Sequence, residues 1–189
     1  MRRQQFLYLM GLSALPFRLF AADLPLTPSQ SEGPFYPVVP IPLRSSLIRD
    51  EKNLEGEVLQ LDGRVLDRQG DPLAGARIEI WQCDGNGVYA HPAQDGHQHF
   101  DPGFEGFGAQ LTGHQGGYRF TTLYPVPYPG RPPHIHVKIW QSGQERLTTQ
   151  LYLRGNLGRG WFKSQREPLQ IDPRSEIGGR AKARFTFVV

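Results

Sequence analysis

Two histidines, His134 and His136, stand two residues apart at the end of the stretch Tyr128-Pro-Gly-Arg-Pro-Pro-His-Ile-His136. On a β-strand, residues spaced by two share a face, with backbone positions roughly 6.7 Å apart. Two imidazoles on one face form half of the ligand shell of a transition metal. The alternative is a pair of polar residues on a solvated sheet face, so further donors must decide between the two.

Two tyrosines, Tyr89 and Tyr128, are candidate oxygen donors for the same metal. Each alone is most simply explained as a core or turn aromatic. Tyr128 lies between Pro127 and Pro129, and prolines keep such a segment out of a central sheet ladder. A phenolate is a hard, anionic donor, so a set of two tyrosines and two histidines favours Fe(III) over zinc or Cu(I).

A second pair, His97-Gln-His99, competes with the first. It lies in a glycine-rich stretch, whereas a ligand pair is held more rigidly on a strand, so His134 and His136 are preferred. Spacing leaves three acidic residues open as further ligands, namely Asp95, Asp101 and Glu105. The pattern leaves the roles of His91, His97, His99 and His114 open.

The rest of the sequence predicts short strands rather than helices. Among 189 residues, 38% are hydrophobic, and 22 glycines and 17 prolines punctuate the chain. Runs with a period of two place Ile78 and Ile80 on one face and Trp81 on the other. We expect strands at 58–65, 76–82, 117–122, 134–141, 146–153 and 182–189, with long irregular stretches at 85–116 and 154–177. The expected fold is an all-β sandwich with long functional loops and little helix.

The first 22 residues are typical of an export signal. They contain Arg2, Arg3 and Arg18, no acidic residue, an apolar run and a final pair of alanines, a pattern that fits a cleaved leader better than a membrane span. The adjacent arginines suggest twin-arginine export to the periplasm or outside the cell. An uncleaved arm of a cytoplasmic protein is the alternative. Residues 23–55, rich in proline and glycine, should form an extended arm, and 56–189 the sandwich domain.

Charge and cysteine content exclude other classes of protein. The net charge is +3, and without the three leader arginines it becomes 3 − 3 = 0, so no basic stripe for nucleic acid remains. The single cysteine, Cys83, allows neither an intramolecular disulfide nor a multi-cysteine metal site. No motif of zinc proteases or serine hydrolases is present.

These residues together resemble the intradiol ring-cleavage dioxygenases, the family of protocatechuate 3,4-dioxygenase and catechol 1,2-dioxygenase. Four segments carry the resemblance in the order found in the family: 27–36 (TPSQSEGPFY), 70–89 with its IEIWQ and GVY elements, 117–120 (GYRF) and 127–136 (PYPGRPPHIH). The last segment is the most specific. The chain lacks the helical dimerisation domain of catechol 1,2-dioxygenases, which favours a protocatechuate-like, single-domain member.

The resemblance implies a role for each matching residue. Tyr89, Tyr128, His134 and His136 would bind one non-haem Fe(III) per chain, and Tyr128 would be the ligand that substrate displaces. Arg131 would face the substrate ring, and Gln150 would support it. Three residues correspond to the arm that closes over the site, namely Thr27, Pro28 and Tyr36.

The implied activity is cleavage of a catechol ring between its two hydroxyl-bearing carbons with O₂, giving a cis,cis-muconate-type diacid. A protocatechuate-like substrate is expected, with catechol or hydroxyquinol as alternatives. The chain would act as a homo-oligomer or a monomer, without nucleic acid and without a membrane once the leader is removed. A non-catalytic exported β-sandwich that binds carbohydrate or protein is the competing interpretation.

Overall fold

The structure, a computed structural model, describes residues 22–158, 163–175 and 180–189. The strands in these ranges are β1 (Val58–Leu66), β2 (Arg77–Trp81), β3 (Phe107–Leu111), β4 (Gly117–Leu123), β5 (His134–Gln141), β6 (Gln144–Leu153), β7 (Gln170–Ile171), β8 (Arg174–Ser175) and β9 (Ala181–Val188). Helical structure comprises α1 (Lys163–Arg166) and single 3₁₀ turns at Glu51–Asn53, His97–His99 and Glu167–Leu169. The prediction of an all-β fold with little helix is confirmed.

The strands form two sheets that enclose the core. One sheet has four strands in the order β4-β1-β9-β8, and the other has five in the order β3-β2-β5-β6-β7. Neighbours are antiparallel except for β1 with β9 and β6 with β7. The inward side chains are aliphatic or aromatic and fully buried, among them Leu59, Leu61, Ile78, Ile80, Phe120, Ile135, Val137, Ile139, Leu151 and Phe187. Burial of this apolar surface is the main force that joins the sheets.

The central strand β5 is buried on both faces over most of its length. Its inner face carries Ile135, Val137 and Ile139, as alternation predicts. Its outer face carries His134 and His136, each no more than 2% exposed. In a two-layer sandwich the outer face of a sheet normally meets solvent, so another part of the chain must cover these two histidines.

The N-terminal arm provides that cover. Glu32 forms an ion pair with Lys138 of β5. Three further hydrogen bonds tie the arm to the five-stranded sheet: Thr149 Oγ1 to Pro28 O at 2.7 Å, Gln150 Nε2 to Ser31 O at 2.8 Å, and Tyr36 OH to Glu79 Oε2 at 2.8 Å. The arm therefore encloses the histidine pair in a partly buried layer outside the sandwich core.

Two expected irregular stretches contain regular structure. The range 85–116 includes β3, which pairs along β2, and the range 154–177 includes α1, β7 and β8. The expected export signal lies outside the described residues apart from Ala22. None of the helices in the described ranges is long and apolar enough to cross a membrane.

Candidate metal centre

His134 and His136 converge from β5 as their spacing predicts. Their Nε2 atoms lie 3.0 Å apart. The Nδ1 atom of His134 is 2.7 Å from the carbonyl oxygen of Pro132. A carbonyl only accepts hydrogen bonds, so this contact places the proton of His134 on Nδ1 and leaves Nε2 with its lone pair. The pair thus presents imidazole nitrogens to one point.

Both imidazoles are neutral at physiological pH. Burial lowers the pKa of His134 to about 4, and burial also holds the pKa of His136 well below its usual range. A neutral imidazole is the form that binds a metal. The enclosed site therefore keeps both rings in the ligating state.

Tyr89 reaches the same point from the loop that follows β2. Asp84 shapes this loop, because its Oδ1 accepts hydrogen bonds from the backbone N–H groups of Asn86 and Val88, each at 2.9 Å. Gln94 then fixes the tyrosine itself, since its Oε1 accepts from the backbone N–H of Tyr89 at 2.9 Å. Such side-chain to backbone bonds hold an irregular segment in one conformation.

Tyr128 approaches from a tight turn in which Arg131 N–H donates to Tyr128 O at 2.9 Å. The Tyr128 ring lies 5.6 Å from that of Tyr89 and 5.5 Å from that of His134, measured between centroids. The two tyrosine loops touch at Gly87, where an added Cβ would meet Pro127 O and Tyr128 Cβ at 3.3 Å. The four predicted ligands are therefore brought together.

The two phenols differ in exposure and in electrostatic surroundings. Tyr89 is 2% exposed, and burial, followed by the proximity of Cys83 and Tyr128, raises its pKa far above the usual value. Burial also raises the pKa of Tyr128. The charge of Arg131 opposes the rise in both phenols, and it ranks directly after burial only for Tyr128. A bound cation would favour the phenolate form of Tyr89, because it would oppose this rise in the pKa.

The donor set fits a hard trivalent cation. The Tyr89 hydroxyl is buried and makes no well-formed hydrogen bond within the described part of the chain, which is costly unless another partner completes it. Burial raises the pKa of Cys83 to about 12, so the nearby thiol stays neutral and does not compete as an anionic ligand. Two imidazoles and two phenols match Fe(III) by charge and hardness.

Within the part of the chain that the structure describes, the competing candidate ligands are not brought together at a second site. His97 and His99 are exposed on a 3₁₀ turn, and Asp95 and His114 are also exposed. The carboxylate of Asp101 instead accepts backbone hydrogen bonds, and Glu105 binds arginines. Across the described ranges, no three residues among His, Cys, Asp and Glu form a metal-binding group. The buried His91 packs against Phe35, with ring centroids 5.7 Å apart.

A cavity of about 870 Å³ opens beside Tyr128 and Arg131. The arm, β6, the turn at 128–132 and α1 form its walls, which include Ser29, Gln30, Ser31, Tyr152, Gln165 and Arg166. Its volume is ample for a substituted aromatic ring. Arg166 could not be predicted as a cavity residue, because it lies in a stretch expected to be irregular and belongs to no recognisable motif.

The predicted substrate residues fall into two groups. Arg131 lines the cavity, and its Nη2 donates to Gln150 Oε1 at 2.5 Å. Thr27 instead binds the end of β9, where Val188 N–H donates to its Oγ1 at 2.9 Å. Pro28 and Tyr36 do not line the cavity. The part of the arm that forms the cavity wall is 29–31. Thr27, Pro28 and Tyr36 thus hold the arm in place.

Comparison with known proteins adds to this geometry. Residues 31–131 match a family model described as a dioxygenase. The chain is similar to a catechol 1,2-dioxygenase of Candida albicans, with 35% identity over 147 residues, covering 67% of this chain and 46% of the relative. It is also similar to a protocatechuate 3,4-dioxygenase beta chain of Burkholderia cepacia, with 37% identity over 109 residues, covering 53% of this chain and 46% of that one.

A solved structure has the same fold over most of its length. It is the dioxygenase domain of a dioxygenase and carbohydrate-binding protein fusion from Streptomyces sp. SirexAA-E, with a TM-score of 0.68 and 33% identity. The match covers 87% of this chain and 98% of that domain. By contrast, the chain spans about half the length of the curated relatives it matches.

Proposed function

The chain belongs to the intradiol ring-cleavage dioxygenase family, and we propose that it cleaves a catechol ring with O₂ at a ferric centre. In this reaction the carbon–carbon bond between the two hydroxyl-bearing carbons breaks, and both atoms of O₂ enter the product, a cis,cis-muconate-type diacid. The observation that carries the proposal is the convergence of Tyr89, Tyr128, His134 and His136 beside a cavity.

Those four side chains would hold one Fe(III) per chain. Bound ferric iron supplies a Lewis acid that favours the catecholate form of the substrate and makes its ring reactive toward O₂. The protein keeps both imidazoles neutral by burial. It also excludes water from the His136 and Tyr89 side of the site, where both residues are 2% exposed.

The two tyrosines are suited to different roles. Tyr128 lines the cavity, whereas Tyr89 is buried behind it. A ligand at the cavity wall can be exchanged for an incoming substrate oxygen, while a buried ligand has no space to leave. Tyr128 would accordingly accept a proton from the catechol on its phenolate oxygen as it yields its place. Arg131 favours the anionic form of Tyr128 beforehand, because its charge opposes the rise in the pKa of that phenol.

Arg131 would also stabilise negative charge that develops on the substrate. Its guanidinium is fixed by Gln150 rather than free to move. A preorganised charge in a partly buried site contributes more to lowering a barrier than one that must reorient. Arg131 and Tyr128 are the residues that we assign to catalysis, with Gln150 as support.

We favour a protocatechuate-like substrate, which carries a carboxylate on the ring. The cavity holds two guanidinium groups, those of Arg131 and Arg166. Arg166 donates from Nη1 to Leu157 O at 2.6 Å and lies 5.1 Å above the Tyr152 ring, and these two contacts orient its guanidinium. A ring bound beside Tyr128 would direct an anionic substituent toward this second arginine. Catechol and hydroxyquinol offer no carboxylate there.

The test is metal content combined with an absorption spectrum, recorded before and after addition of each of the three catechols, followed by oxygen uptake. We expect about one iron per chain, a red to purple colour from phenolate-to-iron charge transfer, and the highest kcat/KM with protocatechuate. A colourless protein with stoichiometric zinc, or no oxygen uptake with any catechol, would overturn the assignment. Faster turnover of catechol would keep the reaction and overturn the substrate preference.

Export and self-association are further parts of the proposal. The leader composition supports export through residues 1–22, which N-terminal sequencing of the mature protein from its native host would test. All four ligands belong to one chain, which supports a homo-oligomer or monomer over an obligate pair of different subunits. Light scattering of the purified protein would show which of the two forms exists.

A further inference from the structure

The two histidines of the proposed iron site are oriented by different means. The Nδ1 atom of His134 is bound to Pro132 O at 2.7 Å. The Nδ1 atom of His136 is buried and has no hydrogen-bond partner among the described residues. Histidines that ligate metals almost always use this second nitrogen for an orienting hydrogen bond. Within the described residues, contacts other than a hydrogen bond to Nδ1 therefore set the direction of the His136 ring.

Trp81 covers one face of that ring. The two rings are stacked, with centroids 4.7 Å apart and an angle of 10° between their planes. Trp81 and His136 are directly opposed partners in the β2–β5 pair, and Trp81 is 1% exposed. A near-parallel stack against an immobile indole prevents the imidazole from tilting, since tilting would open a gap or force a clash.

Gly33 of the arm closes the edge of the same ring. A Cβ added at Gly33 would lie 3.3 Å from Cε1 and 4.0 Å from Nε2 of His136. Gly33 also has φ +78°, a conformation that favours glycine. The arm backbone thus lies very close to the ligating edge of the imidazole. A residue with a side chain at this position would crowd the ring.

Contacts on either side of Gly33 hold the arm against the ring. Glu32 forms an ion pair with Lys138, and Gln150 Nε2 donates to Ser31 O at 2.8 Å. Tyr36 packs edge-on against Trp81 at 5.0 Å between centroids. The arm and β2, which confine His136 from two sides, therefore also contact each other.

We propose that Trp81 and Gly33 are positioning residues that direct Nε2 of His136 toward the metal by packing, in place of a hydrogen bond to Nδ1. The inference rests on the proposed ferric site and adds to it two residues that do not ligate. It predicts that disturbing this packing, by crowding the ring or by removing its neighbour, loosens the metal even though all four ligands remain.

The first test compares Gly33→Ala with Gly143→Ala. Both glycines have φ +78°, but a Cβ at Gly143 meets nothing within 4 Å. The backbone strain is thus matched, and the contact with His136 is the difference. Both variants should lower the melting temperature of the metal-free protein to a similar extent, whereas Gly33→Ala alone should lose ferric iron to excess chelator faster, by about tenfold to a hundredfold.

The readout is the decay of the visible charge-transfer band after EDTA is added to iron-loaded protein, so it does not depend on turnover. Equal rates of iron loss for Gly33→Ala and Gly143→Ala would overturn the inference while leaving the proposed function intact. A wild-type protein that takes up no ferric iron would overturn both.

The second test concerns the stack. Trp81→Leu should accelerate iron loss, and Trp81→Phe, which restores an aromatic plane, should recover most of the wild-type rate. Phe120→Leu, a substitution of another fully buried aromatic in β4, serves as the control for general loss of packing. If Phe120→Leu accelerates iron loss as much as Trp81→Leu, or Trp81→Phe gives no recovery, the positioning role of Trp81 is wrong.

Discussion

The guanidinium of Arg131 is held by the amide oxygen of Gln150, which lies 2.5 Å from its Nη2. The same oxygen accepts from Tyr152 OH at 2.8 Å, and the amide nitrogen donates to Ser31 O at 2.8 Å. Gln150 is also the residue directly opposite His136 in the β5–β6 pair. The buried amide of Gln150 therefore binds both the guanidinium in the cavity and the arm, and Gln150 lies on the strand next to the one that carries the histidines.

Replacing Gln150 by methionine should lower kcat/KM by about tenfold to a hundredfold while the iron content is retained. Arg131 would lose its fixed position, and Ser31 O would lose its partner. The control is Gln82→Met, because Gln82 is equally buried and hydrogen-bonded, to Thr122 and Leu123, but does not contact the cavity. Steady-state kinetics and iron analysis check this. A loss of kcat/KM no larger than that of Gln82→Met would contradict it.

Tyr89→Phe and Tyr128→Phe should each weaken or shift the visible absorption of the iron-loaded protein, because each removes one phenolate donor. Tyr118→Phe should leave the spectrum unchanged. Tyr118 is buried as well, but its hydroxyl donates to Phe185 O at 2.9 Å in the other sheet. The measurement is the spectrum per bound iron. An unchanged spectrum in either ligand variant would remove that tyrosine from the coordination sphere.

Arg166→Gln should reduce kcat/KM for protocatechuate relative to catechol by about tenfold to a hundredfold, since a charged hydrogen bond contributes about 1.5–3 kcal/mol. Catechol serves as the internal reference for any general change in the cavity wall. Arg174→Gln is the matched variant, because Arg174 is highly exposed and pairs with Asp172. If the ratio of the two specificity constants stays the same in Arg166→Gln, this arginine does not select the substrate.

Glu105 should make stability depend on pH. Hydrogen bonds from Arg49 and then Arg44, both in the arm, hold its pKa below the ordinary value of 4.5, against the opposing effect of burial. The folded protein therefore binds this proton less readily than the unfolded chain. The stabilisation is present above about pH 4.5 and is lost as the pH falls through the lowered value.

Chemical unfolding at a series of pH values checks this expectation. The difference in unfolding free energy between wild type and Glu105→Gln should shrink from about pH 6 to about pH 3.5. Glu57→Gln, which removes an exposed carboxylate, should show a smaller dependence. A difference that stays constant over this range would mean that the arginine contacts of Glu105 do not persist in solution.

The strands that could be predicted are those whose side chains alternate strongly. β5 begins and ends as expected. In β2, Trp81 lies on the opposite face of the sheet from Ile78 and Ile80, as the period of two predicts. β3 was missed because its residues Gly108 and Ala109 have little tendency to form strands. A Cβ at Gly108 would lie 2.4 Å from Arg44 O, so the approach of the arm requires this weak composition.

The site was predictable in its ligands but not in its surroundings. Spacing placed His134 and His136 on one face, and the family resemblance supplied Tyr89 and Tyr128. The contacts of the arm join residues more than a hundred positions apart, such as Glu32 with Lys138. Local patterns carry no information about such pairs, which is why the contacts of Thr27 with β9 and of Tyr36 with Glu79 could not be predicted. Their role in closing the arm over the substrate stays a prediction.

The arm is synthesised before every strand on which it rests. Thr27 and Val188, whose backbones meet, are 161 residues apart. At about 5–20 residues per second, the ribosome needs on the order of ten to thirty seconds to deliver that partner. During this interval the nascent chain carries an undocked arm, and β5 has one face without its cover. The arm and the strands that enclose the pocket for the cation are therefore all present only after these strands have been synthesised, so iron loading is expected to follow synthesis of this domain rather than accompany it.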